Sequence, residues 1–240
     1  MLLQWSGTVR ALAVIPAHDE AATLERVVRE LRDRHPWLDV LVVDDASTDG
    51  TAELLPRLGV RRLQLAQRMG VGGAVRAGLR YARFLGYDVV LRLDADGQHP
   101  ADGIERLVEP VATGTADAVV GSRFRDAGSY RAPLPRRAVH LALAGLLSRI
   151  ARQRVSDPTS GFWAFGPRAV RLLGDHHPRG YSEPELLLFL LRNRLAVVEV
   201  PVAMRSRQGG RSTLTLPRAL LALARTALAM LLVPLRRRHA

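Results

Sequence analysis

The sequence predicts an α/β fold in which a mostly parallel sheet is flanked by helices. Short apolar runs of the length of buried strands alternate with segments that have the periodicity of amphipathic helices. This alternation is typical of parallel sheets, because consecutive parallel strands must be joined by a crossover. Acidic residues directly follow three of the apolar runs, where ligands of such sheets bind. A chain of 240 residues can bury a full core in one large domain.

The first 120 residues contain five predicted strands and four predicted helices. The strands are expected at residues 11–17, 38–43, 60–65, 87–93 and 117–120. The helices are expected at residues 20–34, 47–58, 70–85 and 102–111. Asp19 or Thr23 would cap the first helix, and Ser47, Thr48 or Asp49 the second, because their side-chain oxygens can accept N–H groups at a helix start.

The second half of the chain changes character near residue 121 without an obvious domain boundary. A linker rich in Arg, Gly and Pro is expected at residues 124–137, and His176 and His177 are expected in a loop. Helices are expected at 139–155, 183–192 and 216–235, a compact loop and strand at 157–165, a strand at 196–202, and a basic glycine loop at 205–211. We therefore expect one main domain over residues 1–213, followed by a helix and a basic tail over 214–240.

The charge is unevenly distributed along the chain. Residues 1–120 carry 14 Arg and 17 acidic residues, whereas residues 121–240 carry 21 Arg and 6 acidic residues, within a net charge of +12. Such a basic half predicts anionic partners, which include nucleic acid, acidic lipid head groups and phosphorylated substrates. Aromatic residues make up only 5% of the chain and no nucleic-acid-binding motif is present, which argues against nucleic acid.

The cellular location is predicted from three features. Cysteine is absent, which excludes disulfides and thiolate metal sites and fits a reducing compartment. No charged stretch followed by a long apolar run stands at the N-terminus, so no secretory signal is expected. Arg218 and Arg225 interrupt the last apolar segment, and the run that remains is about half of the roughly 20 residues that span a bilayer. We expect an interfacial helix on the cytoplasmic face of the membrane, or else a helix that packs in the core or in a homodimer.

Acidic side chains follow the first, second and fourth predicted strands. They are Asp19 and Glu20, Asp44 and Asp45, and Asp94 and Asp96. Any one of these clusters could be a turn that favours Asp and Gly, but three strand ends of this kind predict a site in the crevice of the sheet. Carboxylates two residues apart at a strand end suit a hard divalent cation, Mg²⁺ or Mn²⁺, and Gln98 could add an amide oxygen.

Six short motifs, taken in order, resemble those of inverting family 2 glycosyltransferases, and most closely the dolichyl- and polyprenyl-phosphate sugar transferases. The motifs are Pro16-Ala-His-Asp-Glu20, Val43-Asp-Asp-Ala-Ser-Thr-Asp-Gly50, Asp94-Ala-Asp-Gly-Gln-His99, Gly121-Ser-Arg123, Thr159-Ser-Gly-Phe162 and Glu199-Val-Pro201. The resemblance covers residues 11–213 and implies the glycosyltransferase type-A fold. It also implies a nucleotide-sugar donor.

The resemblance assigns donor-side roles to residues of these motifs. Donor binding would involve Pro16, Ala17, His18, Glu20, Asp45, Asp94, Ala95, Asp96 and Arg207. Asp94, Asp96 and Gln98 would hold the metal, which stabilises charge on the departing diphosphate. Asp45 could instead be a helix cap, Asp44 could brace its loop, and His18 could simply pack. His99 is expected to be structural.

The resemblance also implies an acceptor phosphate. Arg123, Arg136, Arg137, Ser160 and Arg211 would bind it, with Arg123 among the catalytic residues beside Asp94 and Asp96, because guanidinium forks suit phosphate oxygens. An ionised phosphate needs no strong general base. The alternative is a sugar hydroxyl of a polysaccharide or glycolipid, which would need a base such as Asp157 or Glu183. Those two residues could instead brace a loop and begin a helix.

The glycines at 70, 72 and 73 do not form a dinucleotide-binding motif. Their spacing departs from G-x-G-x-x-G, so we expect them to let a helix approach the sheet. Relatives of the resembled family often carry Asn where Arg68 stands, which leaves this loop without an assigned donor contact.

Overall fold

Seven strands form one mixed sheet in the computed structural model, which describes residues 9–125, 134–176 and 183–205, the side chains of 134–139 excepted. The strands are β1 (Ala11–Ala17), β2 (Asp39–Asp44), β3 (Arg61–Gln64), β4 (Val89–Arg92), β5 (Ala118–Ser122), β6 (Trp163–Phe165) and β7 (Val197–Pro201). Their order across the sheet is β3-β2-β1-β4-β6-β5-β7. The predicted α/β fold with a mostly parallel sheet is confirmed.

The helices that follow the strands along the chain pack against the sheet. They are α1 (Ala21–Arg34), α2 (Thr51–Leu58), α3 (Gly70–Phe84), α4 (Ile104–Ala112), α5 (Leu134–Ala151), α6 (Pro167–His176) and α7 (Glu183–Arg192), with a short 3₁₀ turn at Ala101–Gly103 before α4. None of the helices in the described ranges is long and apolar enough to cross a membrane. The predicted helix and basic tail at 214–240 lie outside the described residues.

One strand runs against the others. β6 is antiparallel to both of its neighbours, β4 and β5, whereas every other neighbouring pair is parallel. Because two reversals restore the direction, β4 and β5 point the same way, and their carboxyl ends lie at the same edge of the sheet. This edge is also where β1 and β2 end.

The core lies on both faces of the sheet. Alternate residues of β1 point to opposite faces, so Ile15 packs with the layer of α1, α2 and α4, whereas Val14 packs with the layer of α3, α5, α6 and α7. Gly78 permits the closest helix contact, since a Cβ there would lie 2.3 Å from Cγ1 of Val14. Gly70 has a different role from the packing that we expected, because its φ of +75° sets the turn into α3 and no atom of the described residues lies within 4 Å of where its Cβ would be.

Several predicted element ends were wrong. Glu20, not Asp19 or Thr23, precedes α1, and its side chain makes no capping hydrogen bond. Gly50 precedes α2 in the left-handed conformation. α5 begins at Leu134, inside the predicted linker. The sequence analysis missed α6, whose last residue is His176, although Pro at its first position and apolar residues at helical spacing are both signals of a helix.

Candidate active site

The strand order places the three acidic strand ends side by side. β2, β1 and β4 are consecutive neighbours and all parallel, so the residues that follow them meet at one edge of the sheet. The N–H of Asp45, which follows β2, donates a hydrogen bond to the carbonyl of Ala17, the last residue of β1, at 2.8 Å. The carboxyl end of β5, which carries Arg123, shares this edge. The acidic strand ends and Arg123 are therefore brought to one edge of the sheet.

The loops after β1 and β2 are held together by reciprocal hydrogen bonds. The N–H of Asp19 donates to Oγ of Ser47 at 3.1 Å, and the N–H of Thr48 donates to Oδ1 of Asp19 at 2.7 Å. Asp19 and Ala46 both have positive φ, 57° and 56°, a conformation that costs a residue with a side chain about 1–2 kcal/mol. The loops thus hold a strained shape that their mutual hydrogen bonds stabilise.

The predicted donor-pocket residues lie in or beside these loops. Asp45 is buried, its Oδ1 accepts the N–H of Met69 at 2.6 Å, and its carbonyl lies 2.8 Å from Nδ1 of His18. Glu20 accepts the hydroxyl of Thr23 at 3.0 Å. Pro16 and Ala17 belong to β1, Pro16 partly buried and Ala17 buried. Asp45 therefore links β2 to the start of α3 by a hydrogen bond, and its predicted contact with the donor stays a prediction.

Asp44 is fully buried at the end of β2. Its Oδ1 accepts the N–H of Ser47 at 3.0 Å, which braces the loop that follows. Its Oδ2 has no hydrogen-bond partner among the described residues. Such an orphaned oxygen is costly in a fold, and it lies at the edge where the acidic loops meet.

The Asp94–His99 turn presents two carboxylates in different environments. The Asp94 side chain is 34% exposed, whereas Asp96 is buried and its Oδ1 accepts the N–H of Gln98 at 3.0 Å. Nδ1 of His99 accepts the N–H of Asp94 at 3.0 Å, and its ring stacks on Phe162 at 4.8 Å. Burial lowers the pKa of His99 below its ordinary value, so the ring is neutral at neutral pH. His99 therefore shapes the turn.

Arg92 is a residue at this site that sequence reasoning missed. Its side chain is 4% exposed, and its Nη1 donates to Oε1 of Glu183 at 3.0 Å while its Nη2 lies 3.4 Å from Oδ1 of Asp94. A Cβ on Gly161 would lie 2.9 Å from Oδ2 of Asp94, so the backbone of the Thr159–Phe162 motif packs against the same carboxylate. The missed signal was an arginine inside an apolar strand, since a buried charge requires partners.

The chemistry of Asp94 and Asp96 fits a hard divalent cation. Both offer carboxylate oxygens at a strand end, the ligand type that Mg²⁺ and Mn²⁺ prefer. Across the described ranges, no group of three His, Asp or Glu side chains could hold a metal ion by itself. A cation bound here would therefore need oxygens from an amide, water or a diphosphate as its remaining ligands, as Mg²⁺ commonly does. A role for the Gln98 side chain stays a prediction.

Arg123 is clamped by a buried carboxylate. Its Nε and Nη2 lie 2.7 Å from Oδ2 and Oδ1 of Asp157, and Nη2 also donates to Oγ1 of Thr159 at 2.7 Å. Burial acts to raise the pKa of Asp157, but the hydrogen bonds and charge of Arg123 outweigh it, so the pKa lies below its ordinary value. A carboxylate with a lowered pKa is a weaker proton acceptor, so the geometry favours bracing over general-base catalysis for Asp157.

Glu199, which the sequence analysis quoted only within a motif, supports this clamp from β7. Its carboxylate accepts the N–H groups of Ser156 at 2.9 Å and Asp157 at 3.2 Å, and also the hydroxyl of Ser156 at 2.5 Å. Ser160 is buried, and its hydroxyl donates to the carbonyl of Gly121 at 2.5 Å. That hydroxyl therefore donates to the backbone at the end of β5, and a role for Ser160 toward an acceptor phosphate stays a prediction.

The remaining predicted site residues are only partly described. Arg136 and Arg137 lie in the first turn of α5, and their side chains are outside the described set. Arg207 and Arg211 lie beyond residue 205, outside the described residues. Their predicted roles toward donor and acceptor stay predictions.

Comparison with known proteins identifies the family. The model of glycosyl transferase family 2 matches residues 12–171, which include the acidic strand ends and the Arg123–Asp157 clamp. The chain belongs to this family. It is 35% identical over 217 residues to the undecaprenyl-phosphate mannosyltransferase of Micrococcus luteus, covering 86% of this chain and 88% of that one. It is 30% identical over 209 residues to the UDP-N-acetylglucosamine–dolichyl-phosphate N-acetylglucosaminyltransferase of Methanococcus voltae, covering 79% and 83%.

A solved structure shares the fold of this family 2 glycosyltransferase. The crystal structure of glucosyl-3-phosphoglycerate synthase from Mycobacterium tuberculosis with Mn²⁺, uridine diphosphate and phosphoglyceric acid superposes with a TM-score of 0.70. The match covers 94% of this chain and 78% of that one, at 24% identity. The glycosyltransferase type-A fold that the motifs implied is therefore confirmed.

Proposed function

We propose that this family 2 glycosyltransferase moves a sugar from a nucleotide diphosphate sugar to a polyprenyl phosphate, with Mg²⁺ or Mn²⁺, at the cytoplasmic face of a membrane. The observation that carries the proposal is the shared edge of the sheet: the acidic ends of β1, β2 and β4 lie at the same edge as the arginine-bearing end of β5, with β6 between β4 and β5. One edge thus offers carboxylates for a cation and a guanidinium for a phosphate. These are the two chemistries that such a transfer needs.

On the donor side, the loops after β1 and β2 would line the base and ribose pocket, and Asp94 and Asp96 would hold the cation. A divalent ion there supplies charge stabilisation for the departing nucleoside diphosphate. The interlocked loops support this role, because a strained shape held by hydrogen bonds is pre-organised before the donor arrives. Pro16, His18 and Glu20, which lie at or after the end of β1, would contribute further contacts to the donor.

On the acceptor side, Arg123 would hold the phosphate at the crevice. A phosphate oxygen forms a bond to the anomeric carbon while the bond from that carbon to the diphosphate breaks, with inversion and with no proton to remove. The lowered pKa of Asp157 suits this chemistry, since its carboxylate stays ionised as the counter-ion of Arg123. The relatives from Micrococcus luteus and Methanococcus voltae are named for lipid-phosphate acceptors, which supports the same acceptor class here.

The test uses the full chain with a polyprenyl phosphate, Mn²⁺ or Mg²⁺, and a panel of labelled UDP- and GDP-sugars. We expect one donor to give an organic-soluble product whose label is released by mild acid, because a glycosyl phosphate hydrolyses easily. Product should disappear with EDTA and in the Asp96→Ala variant. An acid-stable product made on a sugar hydroxyl would overturn the phosphate acceptor, and no lipid-linked product from any donor would overturn the proposal as a whole.

A further inference from the structure

Arg92 lies between two carboxylates that come from different parts of the fold. Glu183, the first residue of α7, accepts from Nη1 of Arg92 at 3.0 Å. Asp94, which follows β4, lies 3.4 Å from Nη2. The guanidinium is almost fully buried, whereas Glu183 and Asp94 are both partly exposed. Helix α7 thus brings the carboxylate of Glu183 to the same guanidinium that Asp94 contacts.

Arginine side chains stay positively charged in proteins, even when they are buried. The Arg92 guanidinium attracts both neighbouring carboxylates, and the attraction is stronger in the protein interior than in water. Oδ1 of Asp94 is the oxygen that faces Arg92, and Asp94 is also a ligand of the proposed cation site. Arg92 and a divalent cation therefore compete for the charge of one carboxylate.

Glu183 changes the outcome of that competition. Its oxygen lies closer to Arg92 than the oxygen of Asp94 does, 3.0 Å against 3.4 Å. Its negative charge offsets the guanidinium, and its hydrogen bond draws Nη1 toward α7. Asp94 therefore keeps more of its own charge for a cation.

The packing around Arg92 leaves it little freedom to leave Asp94. A Cβ on Gly161 would lie 3.2 Å from Nη2 of Arg92 and 2.9 Å from Oδ2 of Asp94, so the backbone at Gly161 covers both groups. If the charge of Glu183 were removed, the guanidinium would stay beside Asp94. Less of the positive charge of Arg92 would then be offset, so Arg92 would attract the Asp94 carboxylate more strongly.

We propose that Glu183 is a positioning residue of the cation site, which compensates the charge of Arg92 so that Asp94 remains an effective ligand. The inference rests on the proposed function, in which Asp94 and Asp96 bind a divalent cation. It differs from the alternative in which Glu183 is a general base, because a positioning residue acts on cation affinity and not on proton removal from the acceptor.

The test measures Mn²⁺ binding directly, by the loss of the free Mn²⁺ paramagnetic resonance signal, with UDP present and in a parallel series with GDP. Glu183→Gln should weaken Mn²⁺ binding about tenfold, the low end of the effects seen when groups that surround metal ligands are removed, because Glu183 acts on Asp94 through Arg92. The double variant Arg92→Leu with Glu183→Gln should return to within about twofold of wild type, since it removes the competing cation as well. Asp175→Asn, which removes a carboxylate paired with Arg83 away from the site, should bind as wild type does.

Turnover separates the two roles of Glu183. A positioning residue predicts that Glu183→Gln recovers most of its rate at high Mn²⁺, whereas loss of a base would leave the rate low at every Mn²⁺ concentration and would overturn the inference. Unchanged Mn²⁺ affinity in Glu183→Gln would overturn it too. So would a double variant that binds Mn²⁺ more weakly than the single variant while its thermal unfolding stays cooperative.

If the double variant does not fold, Arg92→Gln with Glu183→Gln takes its place. Wild-type protein that binds no Mn²⁺ with either nucleotide would overturn the proposed cation site itself.

Discussion

On one side of the proposed site, the loops after β1 and β2 are held together by hydrogen bonds, whereas on the other side the loop after β5 is held by a buried ion pair. On the first side, the N–H of Thr48 donates to the side chain of Asp19 at the protein surface. On the second, Arg123 is held by Asp157, whose side chain is fully buried, and Glu199 holds the loop that carries Asp157. The two sides therefore respond differently to the loss of one group.

The contrast has an energetic basis. A hydrogen bond between partly exposed groups contributes about 1 kcal/mol net, because water replaces a lost partner. Removal of one member of a buried ion pair costs about 3–5 kcal/mol, because the other charge stays buried without compensation. We therefore expect substitutions on the first side to affect chemistry more than folding, and substitutions on the second side to affect folding first.

Asp96→Ala should have the largest effect on turnover. It removes a carboxylate of the proposed cation site, and we expect a loss on the order of a thousandfold, comparable to the removal of a principal charge-stabilising group. The fold should survive, since a lost hydrogen bond such as the one to the N–H of Gln98 costs only about 1 kcal/mol. Initial rates and thermal unfolding of the same preparation check both parts. Unchanged kinetics would remove the cation model.

Asp157→Asn should have the largest effect on stability. It leaves Arg123 with a neutral partner in a site where the Asp157 side chain is 0% exposed. We expect the free energy of unfolding in urea to fall by about 3 kcal/mol. The exposed Asp175→Asn variant, which breaks the pair with Arg83, is the matched control and should unfold at the wild-type urea concentration. Equal urea midpoints for the two variants would contradict the expectation that loss of a buried charge destabilises the fold more than loss of an exposed one.

The same pair predicts a pH dependence. The pKa of Asp157 is lowered in the folded protein, so its ionised form stabilises the fold. That contribution is fully present above the ordinary Asp pKa of about 3.9 and is lost as the pH falls through the lower folded-state value. In urea unfolding from pH 6 to pH 3, the stability difference between wild type and Asp157→Asn should stay constant down to about pH 4 and then narrow. A difference that widens in acid would contradict the assigned sign.

Arg123→Lys should separate acceptor from donor. Lysine keeps the charge but cannot make the two parallel contacts to Asp157 or offer a planar fork to a phosphate. We expect the acceptor KM to rise about tenfold while the donor KM changes by less than about twofold. Steady-state kinetics with each substrate varied in turn measure the two constants. An equal rise in both KM values would indicate that Arg123 also binds the donor.

The first side of the crevice was the more predictable from sequence. Acidic residues at the ends of apolar runs are local signals, and the rule for parallel sheets placed them at one edge. The strand order was not predictable in this way, because β6 enters between β4 and β5 from about 40 residues further along the chain. Arg92, Asp157 and Glu199 find partners 34 to 91 residues away, so no local pattern shows which carboxylate each one meets.

The smallest effect should come from an ion pair that joins the two sides at the surface. Arg205 makes two contacts to Glu30 of α1, at 2.7 and 2.8 Å, and its N–H donates to the carbonyl of Gln98 at 3.0 Å. The hydrogen bond from Arg205 lowers the pKa of Glu30, yet both side chains are partly exposed, so water screens the pair. We expect Glu30→Gln to cost about 0.5–1 kcal/mol in urea unfolding.

The exchanged pair Glu30→Arg with Arg205→Glu tests whether that cost comes from the charges. It should recover only part of the loss, since the attraction between positions 30 and 205 survives reversal but the new arginine at position 30 lies beside Arg34. A loss near 3 kcal/mol in Glu30→Gln, similar to that expected for Asp157→Asn, would mean that burial is not what separates the two kinds of ion pair. A small loss would show that burial makes the Arg123–Asp157 pair sensitive, since both pairs make two short contacts and the Glu30–Arg205 pair is the more exposed of the two.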